Sequence, residues 1–365
     1  MSKIFNLEFD TENEKIHIIE TVETEINDPE LINSSLAILQ KMSSLPIEYD
    51  WQLLDNLLSQ VHCQEDNMAI IAKNIKTWLR SPVKERPLVF FLAGTSGTGK
   101  TFTAKQVKEA LSKNGYTYLR LDMNQYNSQH KSETFLGAPP SYVDSGQDAP
   151  IFEERRKSDK IIILFDEIEK AHPTIFKIMM NLLDEGILAN GHGHNFDFRN
   201  SIIFFTSNLA MDLLVSKKQE LQKQNLAIDS QKFQDIVKQI IKDHNIPNEI
   251  SGRIKYLLVY NTLDAKSVAK IALQEIRKLG NKKYKLQINN VCPSLLNKIA
   301  EDCKNNNEGA RPIERNVEND FETIFQDYQG DKSQVLDIDE NKNLVQSSNR
   351  TIFSIDEIVN RIEFE

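Results

Sequence analysis

Cysteine is scarce. The chain has three, Cys63, Cys292 and Cys303, odd in number and without a CxxC spacing. That excludes a disulfide framework and a zinc ribbon, and reads as reduced thiols in a cytoplasmic protein. Long apolar runs are missing too: nothing approaches the roughly 18 residues that a membrane-spanning helix needs. The opening MSKIFNLEFDTENE turns acidic before a signal-peptide core can form, so no targeting to a membrane is expected. Nor is there an excess of positive charge. Lys plus Arg number 44 against 53 Asp plus Glu, a net −9 that repels phosphate backbones and argues against a nucleic-acid partner.

What remains is an ordinary globular composition, 40% hydrophobic and 27% charged. At 365 residues the chain is long enough for two to three domains. Residues 1–49 carry clustered acids, with one helical-looking stretch, LINSSLAILQKM, and read as an appendage of unassigned role. From Trp51, WQLLDNLLSQV and NMAIIAKNIKTWL space their apolar residues as two helices, which Pro82 and Pro87 end. LVFFLAG, LRLD, IIILFD and SIIFFTSN are then short, nearly continuous apolar runs separated by helical stretches. Strands buried on both faces of a parallel sheet read this way, so residues 50–262 are expected to form a three-layer α/β domain. After LLVYNTL come DAKSVAKIALQEIRKL, SLLNKIAEDC and IERNVENDFETIFQDY, and then the strand-like QVLDID and NLVQ. These predict a smaller, mostly helical domain over 263–347, followed by a tail over 348–365. KKQELQKQN, near residue 220, is polar enough for an exposed helix or insertion.

Gly94, Thr95, Ser96, Gly97, Thr98, Gly99, Lys100 and Thr101 satisfy G-x-x-x-x-G-K-[ST], between the apolar LVFFLA and the helical TFTAKQVKEAL. The glycines let backbone N–H groups curl toward phosphate oxygens, and the helix N-terminus adds positive potential. Lys100 would reach the β- and γ-phosphates while the Thr101 hydroxyl ligates Mg²⁺. Strand IIILFD ends in Asp166 and Glu167. Two acids after an apolar run often form a solvated loop; behind a phosphate loop, Asp166 supports the Mg²⁺ shell and Glu167 activates an attacking water. Asn208, ending SIIFFTSN, is placed to hold that water or the γ-phosphate, or else to cap a helix.

Beyond these sites, LRLDMNQY, FLGAPPSYVDSGQ, ILFDEIEKAHPTIFKIMMNLLDEG, NFDFRNSIIFFTSNLA and GARPIERNV follow one another in order. They resemble the successive motifs of the Clp/heat-shock disaggregase branch of the AAA+ ATPases, in particular the second module of the two-ring disaggregases, over roughly residues 50–347. The resemblance implies an AAA+ domain followed by a helical lid, with ATP and Mg²⁺ as cofactors. It also implies a hexameric ring of identical subunits that hydrolyses ATP to thread a polypeptide substrate through a central pore. Within it, Val61 and His62 border the adenine and Arg253 is an arginine finger reaching a neighbour's γ-phosphate. Arg311 is a lid residue that senses whether a γ-phosphate is present, and Tyr142 with Val143 grips the threaded chain in the pore.

Several positions depart from the family pattern. Cys63 replaces a glycine, Ser141 and Asp144 replace the glycines around the pore aromatic, and Gly252 stands where an asparagine usually precedes the finger. A first module and a coiled-coil middle segment are not found, which suggests a single ring. No I-G-F or I-G-L tripeptide lies between Asn208 and Arg253, so the Clp peptidase is not expected as a partner. His192 and His194, in a glycine loop, match the second pore-facing loop better than a metal site, for which further ligands are lacking. The EERRK run reads as a solvated helix end, although Arg155 or Arg156 could line a subunit boundary. Two alternatives stand beside the remodeller: an ATP-gated regulatory switch with slow hydrolysis, and a nucleic-acid-associated ATPase, which −9 disfavours.

Overall fold

A computed structural model describes residues 3–10, 15–23, 48–137, 148–244, 246–304, 310–348, 352–360 and 362. The helical stretch expected at LINSSLAILQKM lies outside them. Residues 1–49 and 50–365 are separate compact units. In the first, β1 (Lys3–Asp10) and β2 (Lys15–Glu23) form an antiparallel hairpin with an irregularity between Asn6 and Leu7. These strands were not expected from sequence, because the acid clusters obscured a period-two alternation, Phe5, Leu7 and Phe9 against Asn6, Glu8 and Asp10.

The second unit opens with α1 (Trp51–Leu58) and α2 (Glu65–Arg80). Asp50 caps the first through its carboxylate and Leu53 N, 2.8 Å apart. Five parallel strands follow: β3 (Leu88–Ala93), β4 (Thr117–Asp122), β5 (Ile161–Asp166), β8 (Ile202–Ser207) and β9 (Tyr256–Val259), in the order β4-β5-β8-β3-β9. Every residue of β3, β5 and β8 is buried, as the apolar runs predict for central strands. Phe90 stacks on Phe204 at 5.3 Å and Phe165 on Phe205 at 5.1 Å between ring centroids, tying the strands through their side chains. Strand β4 lies at the edge and is half exposed. Helices α3 (Lys100–Leu111), α4 (Pro173–Asp184), α5 (Met211–Lys223) and α6 (Gln231–Asp243) belong to this part, with a small hairpin of β6 (Ile187–Ala189) and β7 (Asn195–Asp197).

KKQEL falls within α5 and is not simply exposed. Lys218 and Leu221 face inward, and Lys218 Nζ donates to Val259 O at 2.7 Å. A lysine stem is long enough to be buried while its charge finds a carbonyl, which polarity along the sequence does not reveal.

Helices α7 (Ala265–Leu279), α8 (Pro293–Lys304) and α9 (Arg311–Gln326) enclose a second core with Val268, Ile276, Leu296, Val317 and Phe321. A three-stranded sheet completes it: β10 (Gln287–Val291) runs parallel to β11 (Val335–Ile338), which pairs antiparallel with β12 (Leu344–Gln346). Strand β10 was not read from sequence, because its two asparagines break the apolar pattern. Asn289 is nevertheless fully buried, its amide nitrogen donating to Ser347 Oγ at 3.0 Å and its oxygen accepting from Phe353 N at 2.7 Å. The last helix, α10 (Ile355–Val359), starts with a capping box of Ser354 and Glu357 and buries Ile358 and Val359 in the same core.

Candidate active site

All five parallel strands point their carboxyl ends the same way, so residues distant in sequence meet at one rim. The loop after β3 crosses this rim closely. Gly94 N donates to Ser207 O at 3.0 Å, and a Cβ on Gly94 would meet Tyr260 Cβ at 2.7 Å and Thr98 Oγ1 at 2.8 Å. Gly97 and Gly99 take positive φ, 77° and 99°, which gives the loop its curl.

Lys100 opens α3 and is only 8% exposed. Its Nζ donates to the carbonyls of Gly94 and Thr95 and, at 2.9 Å, to Asn208 Oδ1. Burial lowers its pKa to about 8 despite the opposing fields of Glu169 and Asp166. Such a cation gains most from an incoming anion.

At the end of β5, Asp166 collects partners from three elements. Thr206 Oγ1 on β8 donates to its Oδ1, and Thr101 Oγ1 donates to the same oxygen at 3.4 Å. Arg120 on β4 holds Oδ2 through Nη2 at 2.6 Å and Nε at 2.9 Å. Thr206 also accepts from Glu167 N at 3.0 Å, which helps hold Glu167 at φ +57°, a left-handed conformation costing on the order of 1–2 kcal/mol. The Glu167 carboxylate accepts from Asn208 Nδ2 at 3.1 Å, and Asn208 N donates to Glu169 Oε1 at 3.0 Å.

Thr101 and Asp166 fit Mg²⁺, since a hydroxyl and a carboxylate oxygen converge beside the phosphate loop. Among the described residues no group of three His, Cys, Asp or Glu side chains could hold a metal by itself. The remaining ligands would therefore be phosphate and water oxygens, and the ion would neutralise phosphate charge when bound.

These groups line one cleft of about 300 Å³. Residues 96–101, Asp166, Glu167 and Asn208 line it together with Val61, His62, Leu263, Ile271 and Gln274. The helical part closes over it: Ala310 N donates to Gly97 O at 3.0 Å, and Arg311, the first residue of α9, is among the lining residues. Arg253 is not a lining residue. It forms an ion pair with Asp184, the last residue of α4, at 2.7 Å, so an acid of its own chain orients it behind Gly252. Tyr142 and Val143 lie outside the described residues. His192 and His194 sit in the β6–β7 turn, where Asn190 Oδ1 accepts their backbone N–H groups at 3.1 and 2.9 Å.

The family model for the AAA domain (Cdc48 subfamily) matches residues 86–257. ClpC of Staphylococcus aureus (strain USA300), an ATP-dependent Clp protease ATP-binding subunit, is 32% identical over 295 residues, covering 78% of this chain and 35% of ClpC. ClpC of Staphylococcus saprophyticus is also 32% identical, over 281 residues, 74% of this chain and 33% of its own. The chain carries a Clp-type AAA+ module. It spans about a third of the length of these curated relatives. Two solved Hsp104 structures share the fold. A closed state with ATPγS and FITC casein superposes with a TM-score of 0.64 at 22% identity, covering 80% of this chain and 51% of that one. An extended Saccharomyces cerevisiae Hsp104:casein complex gives 0.67 at 23%, covering 86% and 56%.

Within this AAA+ module, sequence reasoning missed Arg120, Thr206, Gln60 and Gln274, all lining the cleft. Arg120 had a signal, a charge inside the strand LRLD, and Thr206 another, a hydroxyl inside a buried run. The two glutamines had none, since an amide in a turn, as Gln60, or on a helix, as Gln274, looks solvated.

Proposed function

We propose that this protein binds ATP with Mg²⁺ in the cleft, hydrolyses it, and uses the cycle to remodel polypeptide substrates. The observation that carries this reading is the convergence of Lys100, Asp166, Glu167, Asn208 and the lid residue Arg311 on one cavity, with Arg253 outside it. Phosphates bind at the loop, Glu167 activates water, and Arg311 couples the γ-phosphate to the lid. Residues 50–262 act as the ATPase domain and 263–347 as the lid, whose core takes in Ile358 and Val359 of α10. Arg253 then serves a neighbouring subunit, which requires a ring, proposed here as hexameric. Tyr142 and Val143 grip substrate in its pore. The Hsp104 structures hold casein, which supports a polypeptide substrate. ClpC is a protease subunit by name, but the region between Asn208 and Arg253 lacks the docking tripeptide, and we propose that this module works without the peptidase. Among the described residues no helix is long and apolar enough to cross a membrane, and a cytoplasmic site of action suits this.

Ser141 and Asp144 favour a second reading, an ATP-gated switch, because replacing glycines stiffens the pore loop and an acid repels acidic segments. Unfolding of a tagged test protein, measured beside ATP turnover, separates the two. Tyr142→Ala should abolish unfolding and spare turnover; a wild type that turns over ATP and never unfolds any substrate sinks the remodeller.

A further inference from the structure

Asp166 carries a full set of donors from its own chain. A carboxylate offers about four acceptor sites. Here Oδ1 takes the hydroxyls of Thr206 and Thr101, and Oδ2 takes Nη2 and Nε of Arg120 at 2.6 and 2.9 Å. The Asp166 side chain is only 10% exposed, and a carboxylate so buried is costly without a cation beside it. Arg120 supplies that cation from β4, the edge strand.

The pair falls short of the strongest arrangement open to it. Both guanidinium N–H groups converge on one oxygen, whereas the best fork spreads them over two, and Thr206 already holds the other oxygen from β8. The Arg120 side chain is also 49% exposed and lines the cleft beside the phosphate loop, so it can swing without opening the core. Thr101 makes the longest of the four contacts, 3.4 Å, and with Asp166 forms the pair that fits Mg²⁺. We propose that Arg120 is a placeholder for the divalent cation at Asp166: it neutralises the carboxylate before nucleotide arrives, then gives up Oδ2 and turns toward the phosphates. A guanidinium suits that second partner as well as the first. The inference rests on the nucleotide reading of the cleft. Arg120 thus competes with the metal and assists nucleotide that comes without it, and its loss pushes two affinities in opposite directions. A residue that merely braced β4 against β5 would lower both.

Two affinities of the full chain test this. Free Mn²⁺, which takes the same oxygen ligands as Mg²⁺, is counted by electron paramagnetic resonance with protein in excess over ADP. Calorimetry with ATP in EDTA gives nucleotide binding without metal. Arg120→Gln, which keeps a hydrogen-bonding amide and removes the charge, should tighten Mn²⁺ by roughly threefold to tenfold and weaken metal-free ATP by about tenfold. Arg120→Lys, which keeps the charge, should return both values toward wild type. Weaker binding of both ligands in Arg120→Gln makes the residue a brace and overturns the inference, as do unchanged affinities or an Arg120→Lys that behaves like Arg120→Gln. A wild type that binds nucleotide only with metal overturns it too, and leaves the cleft a nucleotide site. If wild type binds nucleotide under neither condition, the functional reading of the cleft falls with it.

Discussion

Asn208 donates its side-chain amide to the Glu167 carboxylate at 3.1 Å, while its amide oxygen accepts from Lys100 Nζ at 2.9 Å. One residue at the tip of β8 thus orients both the proposed base and the proposed phosphate-binding cation. It can do so because β8 lies between β5 and β3 in the sheet.

Glu167→Gln should keep ATP binding, since Lys100, Thr101 and Asp166 are untouched, and lower hydrolysis by roughly 10²-fold or more. Asn208→Ala loosens Glu167 and Lys100 together, so affinity and turnover should both fall. Phosphate release measured beside binding of a non-hydrolysable analogue separates these outcomes. Normal turnover in Glu167→Gln removes that residue from the role of base.

Arg253 lies outside the cleft of its own chain and is held by Asp184. Its proposed action on a neighbour would make turnover depend on assembly and so on protein concentration. Lys100→Ala and Arg253→Ala subunits, each inactive alone, should recover part of the activity when mixed, because some interfaces then combine a good loop with a good finger. Turnover proportional to subunit concentration at every dilution, without recovery on mixing, argues against a shared site.

Lys218 is 2% exposed, and burial lowers its pKa to about 8, with Asp66 and Cys63 opposing the shift. Its folded pKa lies below the ordinary 10.5. Between these values the unfolded chain binds more protons, so this group makes stability rise with pH from about 8 to 10.5. Below that window the penalty of the buried charge is fully present. Lys218→Met should remove this contribution and its alkaline slope, and Val259 O would still accept from Asn67 Nδ2 at 3.0 Å. Chemical denaturation of both proteins from pH 7 to 10 checks it; parallel pH dependences would place a normal pKa on Lys218.

The glycine loop between β3 and α3, the apolar strands of the parallel sheet and the Asp166–Glu167 pair were legible in the sequence because each is a contiguous stretch. Strand, turn and helix follow within a dozen residues, and their geometry depends on local backbone preferences and apolar runs. The strand Lys3–Asp10 was legible in principle, through its period-two alternation, and was hidden by acids. Arg120 on Asp166, Lys218 on Val259, and Gln274 between Gln60 and His62 were decided only by the tertiary structure. These pairs lie 46, 41, 214 and 212 residues apart along the chain. Strand order and the packing of the helices after β9 bring them together, and a polar side chain at such a position looks solvated in the sequence until the burial that forces it to find a partner is known.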